Sequence, residues 1–184
     1  MTITNIFDAA IEGSFEQFQE FYDGDIGAVN KYTGLNLLQT VVCGCENYDE
    51  RIEMIRFLLS EGIDVNYLDK KDRMNVLHLL YNNYHIKDAK YFYVVTKMLV
   101  EKGVEINQKD KRGGTPISHL IGAKIDTEEL LPLFQFLTQN GADINVKDNY
   151  GNTCLDYAKQ FSWRQGFVEM VEASQSQQQT YVGN

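Results

Sequence analysis

The sequence predicts an all-α fold, a solenoid of stacked antiparallel helix pairs. Two observations carry this. The segments EGIDVN at 61–66, EKGVEIN at 101–107 and NGADIN at 140–145 each follow an apolar stretch of helical period, RIEMIRFLL, YVVTKMLV and LFQFLT. Each has a Gly where a helix must stop, the residue that closes a helix in a left-handed conformation without a Cβ clash. A second set of segments, GLNLLQTVV at 34, RMNVLHLLY at 73, GGTPISHLI at 113 and GNTCLDYAK at 151, opens the next unit at intervals of 39, 40 and 38 residues. The closing asparagines, counted as Asn30, Asn66, Asn107 and Asn145, are spaced by 36, 41 and 38. Two markers holding one phase indicate a repeated supersecondary unit.

The elements follow in order. Residues 5–30 form an opening pair: Ile6, Ala9 and Ala10, then Phe15, Phe18, Phe21 and Tyr22, recur at three- and four-residue steps, broken at Gly13-Ser14. In the second unit, 31–66, Leu37, Leu38, Val41 and Val42 supply one helix and Ile52, Ile55, Leu58 and Leu59 the other. In the third, 67–107, Met74, Leu77, Leu80 and Tyr81 precede Val95, Met98 and Leu99. The fourth, 108–145, opens with Thr115-Pro116, and Pro at the first helical position loses no hydrogen bond. Pro132 is expected in the first turn of that unit's second helix, because it would break a helix interior. GAKIDTEEL then lies in the junction, with Asp126 and Glu129 at capping-box spacing. The last unit, 146–173, places Leu155, Ala158, Phe161, Trp163, Phe167, Met170 and Val171 over the open end of the stack. SQSQQQTYVGN, 174–184, has the composition of a disordered tail. Residues 1–173 are read as a single domain.

These residues resemble the ankyrin repeat family, whose unit is a β-turn finger followed by two antiparallel helices. Gly113-Gly114-Thr115-Pro116-Ile117 is nearest to its signature, Gly151-Asn152-Thr153-Cys154-Leu155 and Asn75-Val76-Leu77-His78 match in part, and Gly141-Ala142-Asp143-Ile144-Asn145 gives the closing motif. The similarity covers roughly residues 5–173. It implies β-turn fingers, a structural hydrogen bond for His78, and a protein-binding scaffold. Arg73 stands where the family has Gly, and its finger carries an extra residue.

Composition narrows the function classes. The 184 residues carry a net charge of −9, which argues against nucleic acid as the main partner. No apolar run reaches the ~20 residues of a membrane helix, and the N-terminal segment lacks the basic-then-apolar order of a secretion signal. The three cysteines suit a reducing cytoplasm. Residues 1–30 hold six carboxylates and no Lys or Arg, as a solvated cap or as an acidic docking surface. A monomer is expected.

Catalytic chemistry finds little support. Cys43-Gly44-Cys45 offers two metal-type ligands where zinc takes four. A Cys154–His119 nucleophile pair is conceivable only if geometry brings the two together, and His85 is expected in solvent. Gly113-Gly114-Thr115 lacks the Gly-Lys-Ser/Thr of a phosphate loop. No cofactor, metal or catalytic residue is assigned, and the protein is read as a non-enzyme.

In the family, ligands lie against finger tips and the exposed face of the first helices. The resemblance therefore implies Tyr32, Tyr67, Leu68, Lys70, Lys71, Lys109, Lys111, Arg112, Lys147, Asn149 and Tyr150 on fingers. It adds Leu35, Met74, Asn82, Asn83 and Gly114 on helix faces. Tyr67-Leu68 lead, having no core role in the periodicity. The three long junctions, with Glu46, Asp49, Glu50, Asp88, Asp126, Glu128 and Glu129, form an acidic edge opposite the basic fingers. The leading function is a non-catalytic scaffold for a protein partner. The alternatives are an immunity or inhibitor protein neutralising a basic enzyme or toxin through acidic surfaces, and an effector or signalling adaptor using the basic fingers.

Overall fold

The computed structural model describes residues 3–182 except Cys45, with side chains through Ser174. Its elements are α1 (Ile6–Glu12), α2 (Phe15–Phe21), α3 (Leu37–Cys43), α4 (Tyr48–Ser60), α5 (Val76–Asn82), α6 (Ala89–Glu101), α7 (Pro116–Ile121), α8 (Thr127–Gln139), α9 (Cys154–Ala158) and α10 (Gln165–Val182), with a 3-10 turn at Ser162–Arg164 before α10. The short helices α1, α3, α5, α7 and α9 pack in sequence as an inner row, and α2, α4, α6, α8 and α10 as an outer row. The fold is an all-α repeat solenoid. Among the described residues the one β-type pairing is an isolated bridge between Val29 and Asn36.

The inner helices start where short polar side chains can take up free N–H groups. Asn36 with Gln39, Asn75 with His78, and Thr153 with Asp156 form reciprocal capping boxes. Three of these residues also hold the chain that follows, Asn36 and Asn75 reaching the end of their own unit and Gln39 the start of the next. Asn36 Nδ2 donates to Asp64 O, Asn75 Nδ2 to Glu105 O, and Gln39 Nε2 to Tyr67 O and Met74 O. Leu37, Leu38, Val41, Val42, Leu77, Leu80, Ile117 and Leu120 fill the seam between the rows. Leu155, at the matching place in α9, is only partly buried because α9 ends the row. Aromatic rings link the outer row: Phe57 meets Phe15, Phe18 and Tyr22, Tyr48 stacks on Tyr91 at 4.6 Å, and Phe134 meets Phe167 at 4.5 Å.

Several expectations change. Finger hydrogen bonding aligns Asn30 with Asp69, Asp110 and Asp148, since each N–H donates to the carbonyl that closes its finger. Asn30 is thus three residues out of step with Asn66, and the finger-closing positions are spaced by 39, 41 and 38. Asn66 and Asn107 instead bridge units, because each Nδ2 donates to the next unit's helix-terminal glycine carbonyl, Gly103 and Gly141. Met74 lies before α5 and is half-buried. α4, α6 and α8 begin early enough to span 13 residues each, so the junctions are short and the outer helices long. Pro132 accordingly lies inside α8, and Asp126 is its N-cap without a side-chain cap bond. Trp163 is 49% exposed and stacks on Phe161 rather than sealing the stack. α10 continues through Val182 instead of ending near 173. No Gly or Pro interrupts SQSQQQTYV, so the backbone ladder can continue through it.

Two arginines missing from the expected core are buried. Arg51 donates to Glu46 O (2.6 Å), Ala10 O (2.8 Å) and Val41 O (3.0 Å), and also to Ile11 O. Arg164, fully buried, donates to Ile121 O (2.8 Å), Ile125 O (2.9 Å) and Thr127 Oγ1 (2.9 Å), and also to Ala123 O. Each guanidinium satisfies the carbonyls at inner-helix C-termini, where positive charge is favoured by the helix dipole. Gly44 makes room for Arg51, since a Cβ there would come within 1.9 Å of its Cζ.

Candidate functional site: the finger ridge and inner-helix cleft

Each finger is folded around one polar side chain. Asp69 Oδ1 accepts from the N–H of Lys71 and Asp72, and its Oδ2 from Met74 N–H. Asp110 Oδ1 accepts from Arg112 and Gly114 N–H, and Asp148 Oδ1 from Tyr150 and Asn152 N–H. Asn30 does the same for Tyr32 and Thr33. These are Asx-type turns, in which a short polar side chain replaces a backbone acceptor. Arg73 takes φ +57° at the place Gly34, Gly113 and Gly151 occupy in the other fingers. The first two fingers are one residue longer than the last two, with the carbonyl-closing pair at 30–35 and 69–74 against 110–114 and 148–152.

The last three fingers are hydrogen-bonded to one another. Lys111 N donates to Asp72 O at 2.7 Å, Asn149 N to Arg112 O at 2.9 Å, and Asn149 Nδ2 to Lys111 O at 3.1 Å. The approach leaves no room for a side chain at Gly113, whose Cβ would lie 2.9 Å from Asn149 N.

Between the last two fingers and the inner row lies a cleft of about 320 Å³, lined by Asn82, Arg112, Gly114, Ser118, His119, Tyr150, Tyr157 and Phe161, among others. It brings together Asn82, Arg112, Gly114 and Tyr150 of the residues named from sequence. Tyr150 is 73% exposed. Two finger carboxylates form its inner wall. His119 Nε2 lies 3.0 Å from Asp110 Oδ2, and the Tyr157 hydroxyl donates to Asp148 Oδ2 at 2.5 Å. Burial would raise the Asp110 carboxyl, but the His119 hydrogen bond and the Gly114 and Arg112 N–H groups outweigh it and hold it below the usual carboxylate range. Asp148 is lowered in the same way, with Tyr157 in place of the imidazole.

The other named residues divide into two groups. Tyr32, Lys70, Lys71, Lys109, Lys111, Lys147 and Asn149 are exposed along the finger tips. Leu35, Tyr67, Leu68 and Met74 are half-buried. Tyr67 has an internal role that periodicity did not show: its hydroxyl donates to Gly34 O at 2.9 Å. Asn83 donates to the carbonyls ending α3, Val42, Cys43 and Gly44, and is a helix cap. Ser118, His119, Tyr157 and Phe161 are among the cleft residues that sequence reasoning did not assign there, with the finger carboxylates Asp110 and Asp148. The recurring nine-residue step from Asp110 to His119 and from Asp148 to Tyr157 was the available signal.

The acidic edge is built into helix starts. Asp88 Oδ1 accepts from Tyr91 N–H, Asp49 and Glu50 lie in the first turn of α4, and Glu128 and Glu129 in that of α8. Glu50 also accepts from Phe15 N–H at 2.6 Å. Anionic side chains at these N-termini complement the helix dipole.

His78 is fully buried between two units. Its Nε2 faces Gly114 O at 3.2 Å, and its Nδ1 sits against Asn75, 3.2 Å from the backbone N and 2.7 Å from Oδ1; a carbonyl only accepts, so the contact to Gly114 requires the proton on Nε2. Burial, reinforced by the His119 ring 5.1 Å away, lowers its pKa to about 4. Burial pushes the Cys154 thiol up to about 12 and Cys43 to about 11, so both stay protonated near neutrality. Cys154 Sγ donates to Ile144 O, and His119 is engaged with Asp110. Among the described residues no group of three or more His, Cys, Asp or Glu could hold a metal ion. The Cys45 member of the Cys-Gly-Cys motif lies outside the described residues. No helix of the described residues is long and apolar enough to cross a membrane.

No protein-family model matches the chain. Its sequence is similar to protein L271 of Acanthamoeba polyphaga mimivirus, described as an ankyrin repeat protein, with 30% identity over 95 residues. That stretch is 52% of this chain and 12% of the mimivirus protein, so the chain spans about an eighth of that relative's length. The similarity and the paired-helix stack together support ankyrin-like repeats in this protein.

Proposed function

We propose that this protein is a non-catalytic scaffold that holds a protein partner along its finger ridge and the adjoining inner-helix cleft. The carrying observation is the cleft, where exposed Tyr150 and Arg112 sit beside Asn82, Tyr157 and Phe161 over a rigid finger–helix frame. Tyr and Arg are the residue types that dominate interface energetics, and a frame already hydrogen-bonded into shape loses little entropy on binding. The general suggestion of a protein-interaction role also rests on the ankyrin-repeat similarity.

A second reading, an inhibitor of a basic protein, draws on the first helix pair. Glu16, Glu20, Asp23 and Asp25 are exposed on it and no base lies within residues 1–30. Affinity capture from the native source with three baits separates the two. The expected result is a partner retained by the wild type and by Glu16→Lys/Glu20→Lys, and lost with Asn82→Ala/Tyr150→Ala. Loss with the Glu16/Glu20 pair alone would transfer the proposal to the acidic end.

A further inference from the structure

We infer that the finger ridge takes an extended acidic segment of a partner protein, with carboxylates at every third residue. This rests on the scaffold reading above and specifies the chemistry of what is held. The four fingers, 30–35, 69–74, 110–114 and 148–152, with Lys109 and Lys147 directly before the last two, carry eight of the chain's seventeen Lys and Arg, in a protein of net charge −9. They also carry four Asp. Three of those, Asp69, Asp110 and Asp148, accept hydrogen bonds from their own finger's N–H groups and are turned into the structure. Apart from the half-exposed Asp72, the charge facing solvent is cationic: Lys31, then Lys70 and Lys71, then Lys111 and Arg112, then Lys147 are all exposed. Among the described residues no ion pair within 4.0 Å involves any of these, as is also true of Lys87, Lys90, Lys102 and Lys124 away from the ridge. A row of cations with no carboxylate within 4.0 Å, on an otherwise acidic molecule, is an electrostatic address.

The spacing of the row sets the register. Adjacent fingers belong to helix pairs packed at about 8–10 Å. An extended chain advances about 3.3 Å per residue, so three residues span about 10 Å. Carboxylates at i, i+3, i+6 and i+9 would therefore meet successive fingers. The inter-finger bonds from Lys111 N to Asp72 O and from Asn149 N to Arg112 O hold that spacing across the last three fingers before any ligand arrives. The ridge is one file of cations beside an aromatic cleft rather than a broad basic face. This favours a peptide with carboxylates over a nucleic acid, whose phosphates would also face the net negative charge of the remainder.

The test uses fluorescence anisotropy with the full chain and labelled peptides of Glu, Ser, Gly and Tyr, in low salt. One peptide has four glutamates at every third position. A second has the same composition with the glutamates contiguous, a third has Lys for Glu, and an oligothymidylate serves as the nucleic-acid probe. The spaced peptide is expected to bind at least tenfold more tightly than the contiguous one and the oligothymidylate, to weaken as salt rises, and to leave the Lys peptide unbound. Lys111→Glu/Arg112→Glu and, separately, Lys70→Glu/Lys71→Glu should each weaken it at least tenfold. No binding, equal binding of the two glutamate isomers, or tighter binding of oligothymidylate would overturn the inference. If capture of a partner still depends on Asn82 and Tyr150 in that event, the scaffold reading survives; if that dependence is also absent, both fall.

Discussion

His78 couples two repeats through a neutral ring, and this makes it sensitive to acid. It donates to Gly114 O in the next unit while its pKa is held near 4 by burial and by the neighbouring His119. An unfolded His titrates near 6.5. Between those values the unfolded chain binds a proton that the folded one does not, so stability falls as pH drops from about 6.5 towards 4. Gln39, in the same position of the second unit, donates from Nε2 to Met74 O without titrating. His78→Gln is therefore expected to change stability by less than about 1 kcal/mol at pH 7.5, one hydrogen-bonding side chain replacing another. Between pH 7.5 and 4.5 the wild type should lose about 2–3 kcal/mol more than the variant. Urea melts at the two pH values measure this directly, and parallel losses would show that His78 is not the titrating group.

The helices show which parts of the structure were legible in the chain. Inner-row starts were readable because Asn36, Asn75, Thr115 and Thr153 are short polar caps directly ahead of apolar pairs. The starts of α4 and α8 are hard to read because their first turns are polar: Tyr48-Asp49-Glu50 and Thr127-Glu128-Glu129 carry no apolar stripe. Arg51 was hidden by its charge, although it falls three and four residues before Met54 and Ile55 on the buried stripe. In the site, Arg112 and Tyr150 follow from finger position, whereas Tyr157 and Phe161 belong to segments expected to close the core. The rule that Pro avoids helix interiors misplaced Pro132, which α8 accommodates on an exposed face while Leu130, Leu133, Phe134 and Leu137 are buried. Pro there removes one helical hydrogen bond and crowds the preceding turn, at about 3 kcal/mol. Restricting the unfolded chain returns up to about 1 kcal/mol. Pro132→Ala should thus raise stability by about 1–2 kcal/mol, read as a higher urea midpoint at unchanged slope. A lower midpoint would mean that the restriction Pro132 places on the unfolded chain outweighs its cost within α8.

At the scale of the whole molecule, each helix pair is completed only by its neighbours. Leu77 in α5 is fully buried, midway along the inner row, with α3 and α7 on either side. Phe167 in α10 is equally buried, but its outer row stops there, with Phe134 of α8 as its aromatic neighbour. In a stack governed by nearest-neighbour interfaces, equal losses at the centre and at an end have different reach. Leu77→Ala removes a side chain shared by the third unit and its flanks, at about 2–5 kcal/mol. The finger bond Lys111 N to Asp72 O, with the His78 and Asn107 links, binds the third unit to the fourth, and Asn149 N to Arg112 O binds the fourth to the fifth. A weakened centre therefore cannot open without freeing its neighbours. Phe167→Ala, expected to cost about 3–5 kcal/mol locally, can be absorbed by detaching α9 and α10. Amide hydrogen exchange distinguishes these responses. Leu77→Ala should lower protection by a common amount from α3 through α8, and Phe167→Ala should lower it chiefly in α9 and α10. If Leu77→Ala released α5 alone, the repeats would be energetically independent, and the finger ridge could not act as one preformed surface.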